Sequence, residues 1–170
     1  MKTYHVGMFG GKFMPIHKGH IYCVDTAAEQ CDKVYWILFH GGEEEAQIMS
    51  GETVLDRKEF TVETRRFRMQ KICELYENVE YAEIDISQMK NPDGTDNWEL
   101  ETPCVIDICG VPDAVFAGSE KHREYFEEAY PGTTVVAVDP ERATVPISGT
   151  AVRNMRIEEA LKWIALPPEN

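Results

Sequence analysis

Short apolar runs alternate with helix-spaced segments along this chain, and that alternation restricts the fold more than any other feature. Tyr4 to Phe9 is an apolar run closed by Gly10-Gly11, which reads as a buried strand. Residues 18–31 then carry Ile21, Val24, Ala28 and Cys31 at helical spacing. Val34 to Phe39 is unbroken and apolar, as expected of a strand covered on both faces. Residues 41–56 read as a loop, with Glu43-Glu44-Glu45 as a solvated surface. A helix is predicted from about Thr61 to Tyr76, with Phe67, Ile72, Leu75 and Tyr76 on its apolar side. Val79 to Ile86 reads as a strand, Asn91-Pro92-Asp93-Gly94 as a turn and Trp98 to Cys109 as a helix. Strand 114–117, helix 120–130 and strand 133–138 follow, and one or two short helices fall within residues 148–164. The fold class implied is α/β, a Rossmann-like doubly wound parallel sheet with helices on both faces. Ligands in such folds bind beyond the carboxyl ends of the strands, where strand order switches.

A chain of 170 residues without a shift in composition is read as one domain, residues 1–170. No apolar run reaches 18 residues and the first residues lead into a strand, so a cytoplasmic protein without a membrane span is the expectation. The net charge of −13 argues against general nucleic-acid binding, which needs a basic footprint. A small anionic ligand instead requires the few basic groups and backbone N–H donors to be gathered in one place. Cys23, Cys31, Cys73, Cys104 and Cys109 show no CxxC spacing and read as small buried apolar residues.

One gathering point is Phe9-Gly10-Gly11-Lys12-Phe13-Met14-Pro15-Ile16-His17-Lys18-Gly19-His20. It follows the first strand and opens a helix. Small residues there let the backbone approach a phosphate, and the helix start presents free N–H groups and the positive end of the dipole. His17 and His20 lie on roughly one face, and Gly19 leaves room for a ligand over the turn. Both imidazoles can donate to phosphate oxygens, and Lys12 adds a point charge. An ordinary strand–helix turn and a metal-binding histidine pair are the other readings. The segment itself holds no Asp, Glu or Cys to complete a metal set.

This segment resembles the HxGH signature of the nucleotidyltransferase superfamily. Its wider form, GKFxPxHxGH, is similar to nicotinamide mononucleotide (NMN) adenylyltransferases of the NadR type. Late in the chain comes Ile147-Ser148-Gly149-Thr150-Ala151-Val152-Arg153. Read from the residues, Ser148 is a helix N-cap with Thr150 and Arg153 in the first turn, a set suited to phosphate or to a plain capped helix. The segment resembles the family's second signature, ISGTxxR, which implies contacts with the β- and γ-phosphates of ATP. The resemblance therefore implies an ATP site built from Phe9, Gly10, Gly11, Lys12, His17, Gly19, His20, Gly118, Ser148, Gly149, Thr150 and Arg153. His17, His20, Lys12 and Arg153 are its catalytic members.

For the acceptor, the resemblance points to Phe13, Arg66 and Trp98. Trp98 offers a plane that can stack on a nicotinamide ring or pack into the core. Arg66 either holds a substrate group or belongs to a solvated helix face. Val138-Asp139-Pro140-Glu141-Arg142 is similar to the VDPxR segment of NadR-type proteins and supports the subfamily rather than adding a catalytic element. NadR-type proteins often carry a DNA-binding domain before this unit and a kinase after it. No Walker P-loop occurs here, so neither transcriptional regulation nor kinase activity is expected.

The resemblance implies transfer of AMP from ATP to NMN, giving NAD and pyrophosphate by in-line attack without a covalent intermediate. Mg²⁺ is expected to accompany ATP, held by phosphate oxygens and waters rather than by a protein cluster. The alternatives are a cytidylyl- or adenylyltransferase for another small phosphorylated acceptor, and a catalytically idle nucleotide-binding module. The oligomeric state stays open, a homo-oligomer included.

Overall fold

The computed structural model describes residues 2–168. Strands β1 (Tyr4–Gly11), β2 (Cys31–His40), β3 (Val79–Asp85), β4 (Ala114–Ala117) and β5 (Thr134–Ala137) form one sheet in the order β3-β2-β1-β4-β5. Every pairing is parallel. The helices are α1 (Lys18–Gln30), α2 (Glu43–Ser50), α3 (Val62–Cys73), α4 (Trp98–Cys109), α5 (Arg123–Ala129), α6 (Gly149–Arg153) and α7 (Ile157–Ala160). β1 pairs with β2 on one side and β4 on the other, so strand order switches beside the carboxyl end of β1.

Alternation along the strands divides the core. Phe9, Trp36, Leu38 and Phe116 pack with Val24 and Ala27 of α1 and with Met69 and Ile72 of α3. Met8, Ile37, Ile84 and Val115 pack on the opposite face with Val105 of α4 and with Tyr130. A third cluster, including Met14, Leu55, Phe60, Ile147, Val152 and Ile164, joins the long connections. Trp36, fully buried, meets the Phe13 ring edge-on at 5.6 Å. Truncating a core aromatic of this kind costs about 3–5 kcal/mol.

Two expectations fail on packing grounds. Residues 43–50 are helical rather than loop, and the acidic run supplies the first turn, where negative side chains complement the helix dipole. Glu45 is not solvated but buried against Arg65. In α3 the buried stripe is Arg65, Met69, Ile72 and Cys73, at helical spacing. Phe67 lies off that stripe and is 57% exposed, and Leu75, beyond the helix end, is 62% exposed. Cys23, Cys31 and Cys73 are buried as expected, whereas Cys104 and Cys109 are half-buried. Among the described residues no helix is long and apolar enough to cross a membrane.

Candidate active site

Beyond Gly11 the chain turns sharply through Lys12, Phe13 in the left-handed region (φ 55°) and a cis Met14–Pro15 bond. It enters α1 at His17, the helix N-cap. The C-terminal segment holds this entry: the Lys18 N–H donates to the Trp163 carbonyl at 2.8 Å, and the Ala165 N–H donates to the Ile16 carbonyl at 3.0 Å.

The two histidines cap the helix reciprocally. The Gly19 N–H donates to His17 Nδ1 at 3.1 Å, and the His17 N–H donates to His20 Nδ1 at 3.1 Å. Their rings stack with centroids 3.6 Å apart. Because both Nδ1 atoms accept, the proton of each neutral ring resides on Nε2. Burial, reinforced by the charge of Arg142, lowers the His17 pKa to about 4. Burial, then the neighbouring His17, holds His20 well below the ordinary imidazole value. At neutral pH both are uncharged donors through Nε2–H. Gly19 serves this cap as much as any ligand, since a Cβ there would sit 2.9 Å from His17 Cε1.

The histidines line a cavity of about 300 Å³ on the α1 side of the switch point. Phe9, Gly10, Gly11, Lys12, Phe13, Gly19, Gly118, Ser148 and Gly149 share its walls, as do Ser119, Asp139 and Arg142. A second cavity of about 300 Å³ opens on the other side and is lined by Phe39, Trp98, Glu101, His122, Tyr125 and Phe126, among others. Phe9 to Lys12 together with Gly118-Ser119 border both. Two chambers thus meet at the carboxyl ends of β1 and β4.

Not every expected residue reaches these chambers. Phe13, expected on the acceptor side, lines the histidine cavity and meets His20 edge-on at 4.8 Å. Arg66 borders neither cavity: it makes a two-pronged pair with Glu83 at 2.7 and 2.9 Å, on strand β3 at the sheet edge. That pair draws the Glu83 carboxyl down to about 2. Arg153 lies behind the cavity wall, donating to the Met14 carbonyl at 2.8 Å and to Thr150 Oγ1 at 3.2 Å. Arg153, braced by Thr150, therefore ties α6 to the turn after β1, and Ser148 and Gly149 form the wall. Ser148 Oγ accepts from the Ala151 N–H, the expected N-cap. Lys12 borders both cavities, its ammonium 2.9 Å from Glu44.

Several residues of the site escaped the sequence reading. Asp139 and Arg142, placed outside it, line the histidine cavity. Phe13, Asp139 and Arg142 are the three non-glycine residues with positive φ among the described residues, and all border this one cavity. Such conformations persist where surrounding contacts enforce them, typically at ligand sites. Asp139 accepts from the Thr144 and Val145 N–H groups, which fixes the loop presenting Arg142. Arg65, 1% exposed, donates to the Lys12 carbonyl at 2.8 Å and pairs with Glu45, whose other oxygen accepts from the Gly41 N–H. Glu101 follows Trp98 by one helical turn, a spacing that was a usable signal. His122 lies against Trp98 at 4.4 Å, and its helix comes from a distant part of the chain.

A doubly wound sheet whose first strand feeds a reciprocally capped histidine pair has the architecture of the HxGH nucleotidyltransferase superfamily. A family model described as cytidylyltransferase-like matches residues 8–155, and the chain belongs to that family. Within it the chain resembles NadR. It is 29% identical over 156 residues to the trifunctional NAD biosynthesis/regulator protein NadR of Salmonella typhimurium, covering 88% of this chain and 36% of that protein. The NadR of Escherichia coli is likewise 29% identical over 155 residues, again covering 36% of the relative. The chain thus spans about a third of the length of these curated relatives. A crystal structure of NadR in complex with NAD and AMP-PNP superposes with a TM-score of 0.65 at 19% identity, over 97% of this chain and 46% of that one. A bifunctional NMN adenylyltransferase/ADP ribose pyrophosphatase from Francisella tularensis superposes with a TM-score of 0.60 at 16% identity, over 88% and 41%. At these identities the two structures establish the shared fold.

Proposed function

We propose that this chain is an adenylyltransferase that joins AMP from ATP to NMN, forming NAD and pyrophosphate. The observation that carries the reading is the pair of cavities meeting at Gly10–Lys12 and Gly118-Ser119. One is walled by neutral imidazole donors and basic side chains, the other by Trp98, His122, Tyr125 and Phe126. A phosphate chain suits the first and a flat heteroaromatic ring the second, so the reacting phosphates fall on their common wall. The names of the curated relatives, which are NAD biosynthesis proteins, support the same acceptor class.

In this mechanism an oxygen of the NMN 5′-phosphate attacks the α-phosphorus of ATP in line, and the bond to the bridging oxygen of pyrophosphate breaks. The attacking group is already an anion, so alignment and charge stabilisation supply most of the catalysis. His17 and His20 donate Nε2–H to phosphate oxygens as charge builds. Being neutral, they donate without demanding a proton transfer. Lys12 exchanges its exposed partner Glu44 for phosphate, an inexpensive exchange because such pairs are weak. Arg142 meets the pyrophosphate end, and Arg153 acts by holding the Met14 carbonyl and Thr150 in place. Mg²⁺ would accompany the ATP substrate, held mainly by phosphate oxygens and waters.

Pyrophosphate release measured over a small panel of nucleotides and phosphorylated acceptors tests the proposal. Release with ATP and NMN supports it. Release only with CTP and an alcohol phosphate overturns the acceptor and leaves nucleotidyl transfer standing. No release with any pair identifies a nucleotide-binding module instead.

A further inference from the structure

Trp98 and Glu101 stand one turn apart at the start of α4, and both line the aromatic cavity. Glu101 is 9% exposed, and its Oε2 is buried without a hydrogen-bond partner among the described residues. Native proteins rarely leave a buried carboxyl oxygen unpaired, and an explanation lies in whatever fills the adjoining space. The neighbouring cations are committed elsewhere: Lys12 to Glu44 at 2.9 Å and Lys90 to Asp96 at 2.6 Å. Phe39, Ile86 and Val105 of the same cavity offer no donor side chain, and the Tyr125 hydroxyl is engaged at the Trp98 carbonyl at 2.7 Å.

We infer that Glu101 determines acceptor specificity, accepting a hydrogen bond from a carboxamide NH₂ and rejecting the same ring bearing a carboxylate. The inference rests on the proposed pyridine-nucleotide reading of this cavity. An amide brings the missing donor to Oε2, whereas a carboxylate brings a second set of lone pairs and a like charge. The surrounding charges sharpen the choice. Burial, followed by the charge of Asp96, raises the Glu101 carboxyl to about 7, against the opposing pull of Lys12 and Lys90. Tyr125 and Tyr130, packed from the α5 side, have their phenol pKa values raised further above neutrality and stay uncharged. Near pH 8 Glu101 is therefore mostly ionised. Admitting a carboxylate ligand then requires proton uptake, which one unit above the midpoint costs about tenfold in affinity.

The test compares NMN with nicotinic acid mononucleotide as acceptors at pH 8 in wild type, Glu101→Gln and Glu101→Asp. It reads kcat and KM with ATP, together with direct calorimetric binding of each mononucleotide. The expected wild-type preference for NMN is about tenfold or more. In Glu101→Gln it collapses to within about threefold, mainly through a lower KM for the acid, and Glu101→Asp retains most of it. Glu101→Gln should unfold no earlier than wild type at pH 8, because it removes a buried charge. If wild type uses NMN and the Gln variant keeps the wild-type ratio, this inference falls and the proposed function stands. A wild-type preference for the acid overturns the inference in the same way. If wild type neither binds nor uses either mononucleotide, the proposed function fails and the inference falls with it.

Discussion

Replacing His17 with Asn isolates the cost of keeping the capping imidazole neutral. Asn is itself a good N-cap, and its carbonyl oxygen can take over from His17 Nδ1 as acceptor of the Gly19 N–H. The substitution therefore removes titration while keeping the cap. The His17 pKa is about 4 in the folded protein against 6.5 for an ordinary imidazole. Between those values the unfolded chain holds a proton that the folded chain does not. Stability from this group is intact above pH 6.5, declines as pH falls, and is lost by about pH 4. At 1.36 kcal/mol per unit, the difference amounts to about 3 kcal/mol. Urea unfolding of the ligand-free protein at intervals from pH 7.5 to 4.5 measures it. Carboxylate titrations occur in both proteins and cancel in the comparison. Wild type should lose about 2–3 kcal/mol more than His17→Asn over that range. Parallel pH curves would refute the picture of a buried, neutral histidine pair.

Three further outcomes are expected. His20→Ala should lower kcat for pyrophosphate release from ATP and NMN by about 10²- to 10³-fold, with the far-UV circular dichroism retained. Arg65→Met leaves Glu45 buried without its partner and should cost about 3–5 kcal/mol in urea unfolding. Adding Glu45→Gln should recover most of that loss, and equal stability of the single and double variants would sink the coupling. Trp98→Ala should raise the KM for the acceptor about tenfold by removing ring stacking, while the KM for ATP changes less than threefold.

The alternating pattern of apolar runs carried the sheet, and helix α4 and strand β4 were legible to the residue, since each is a short local pattern bounded by turn residues. Helix α2 was not. Gly41, Gly42 and Gly51 flank it, and its acidic first turn looks solvent-facing until Arg65 of α3 is brought against Glu45. The α3 stripe was misjudged for the same reason, because an arginine fills a core slot that periodicity assigns to an apolar residue. At the site, the helix start at His17–His20 and the Ser148 N-cap were legible because helix starts depend on a few consecutive residues, whereas the reciprocal capping by the two imidazoles was not read. Arg142 and Glu101 were not recognised, and Arg66 was assigned to a site it does not reach.

Local spacing thus carries the parallel α/β fold and the paired-histidine helix start, since strand alternation, turn chemistry and caps are short-range interactions. Packing across the sheet assigns the remaining roles. It turns Arg66 towards Glu83, sets Arg153 behind the Met14 carbonyl, presents Arg142 to the histidines and encloses Glu101 beside Trp98. Those roles depend on which distant side chain reaches a charged group first, and on how much water remains around it. Both follow from long-range contacts that residue spacing does not encode.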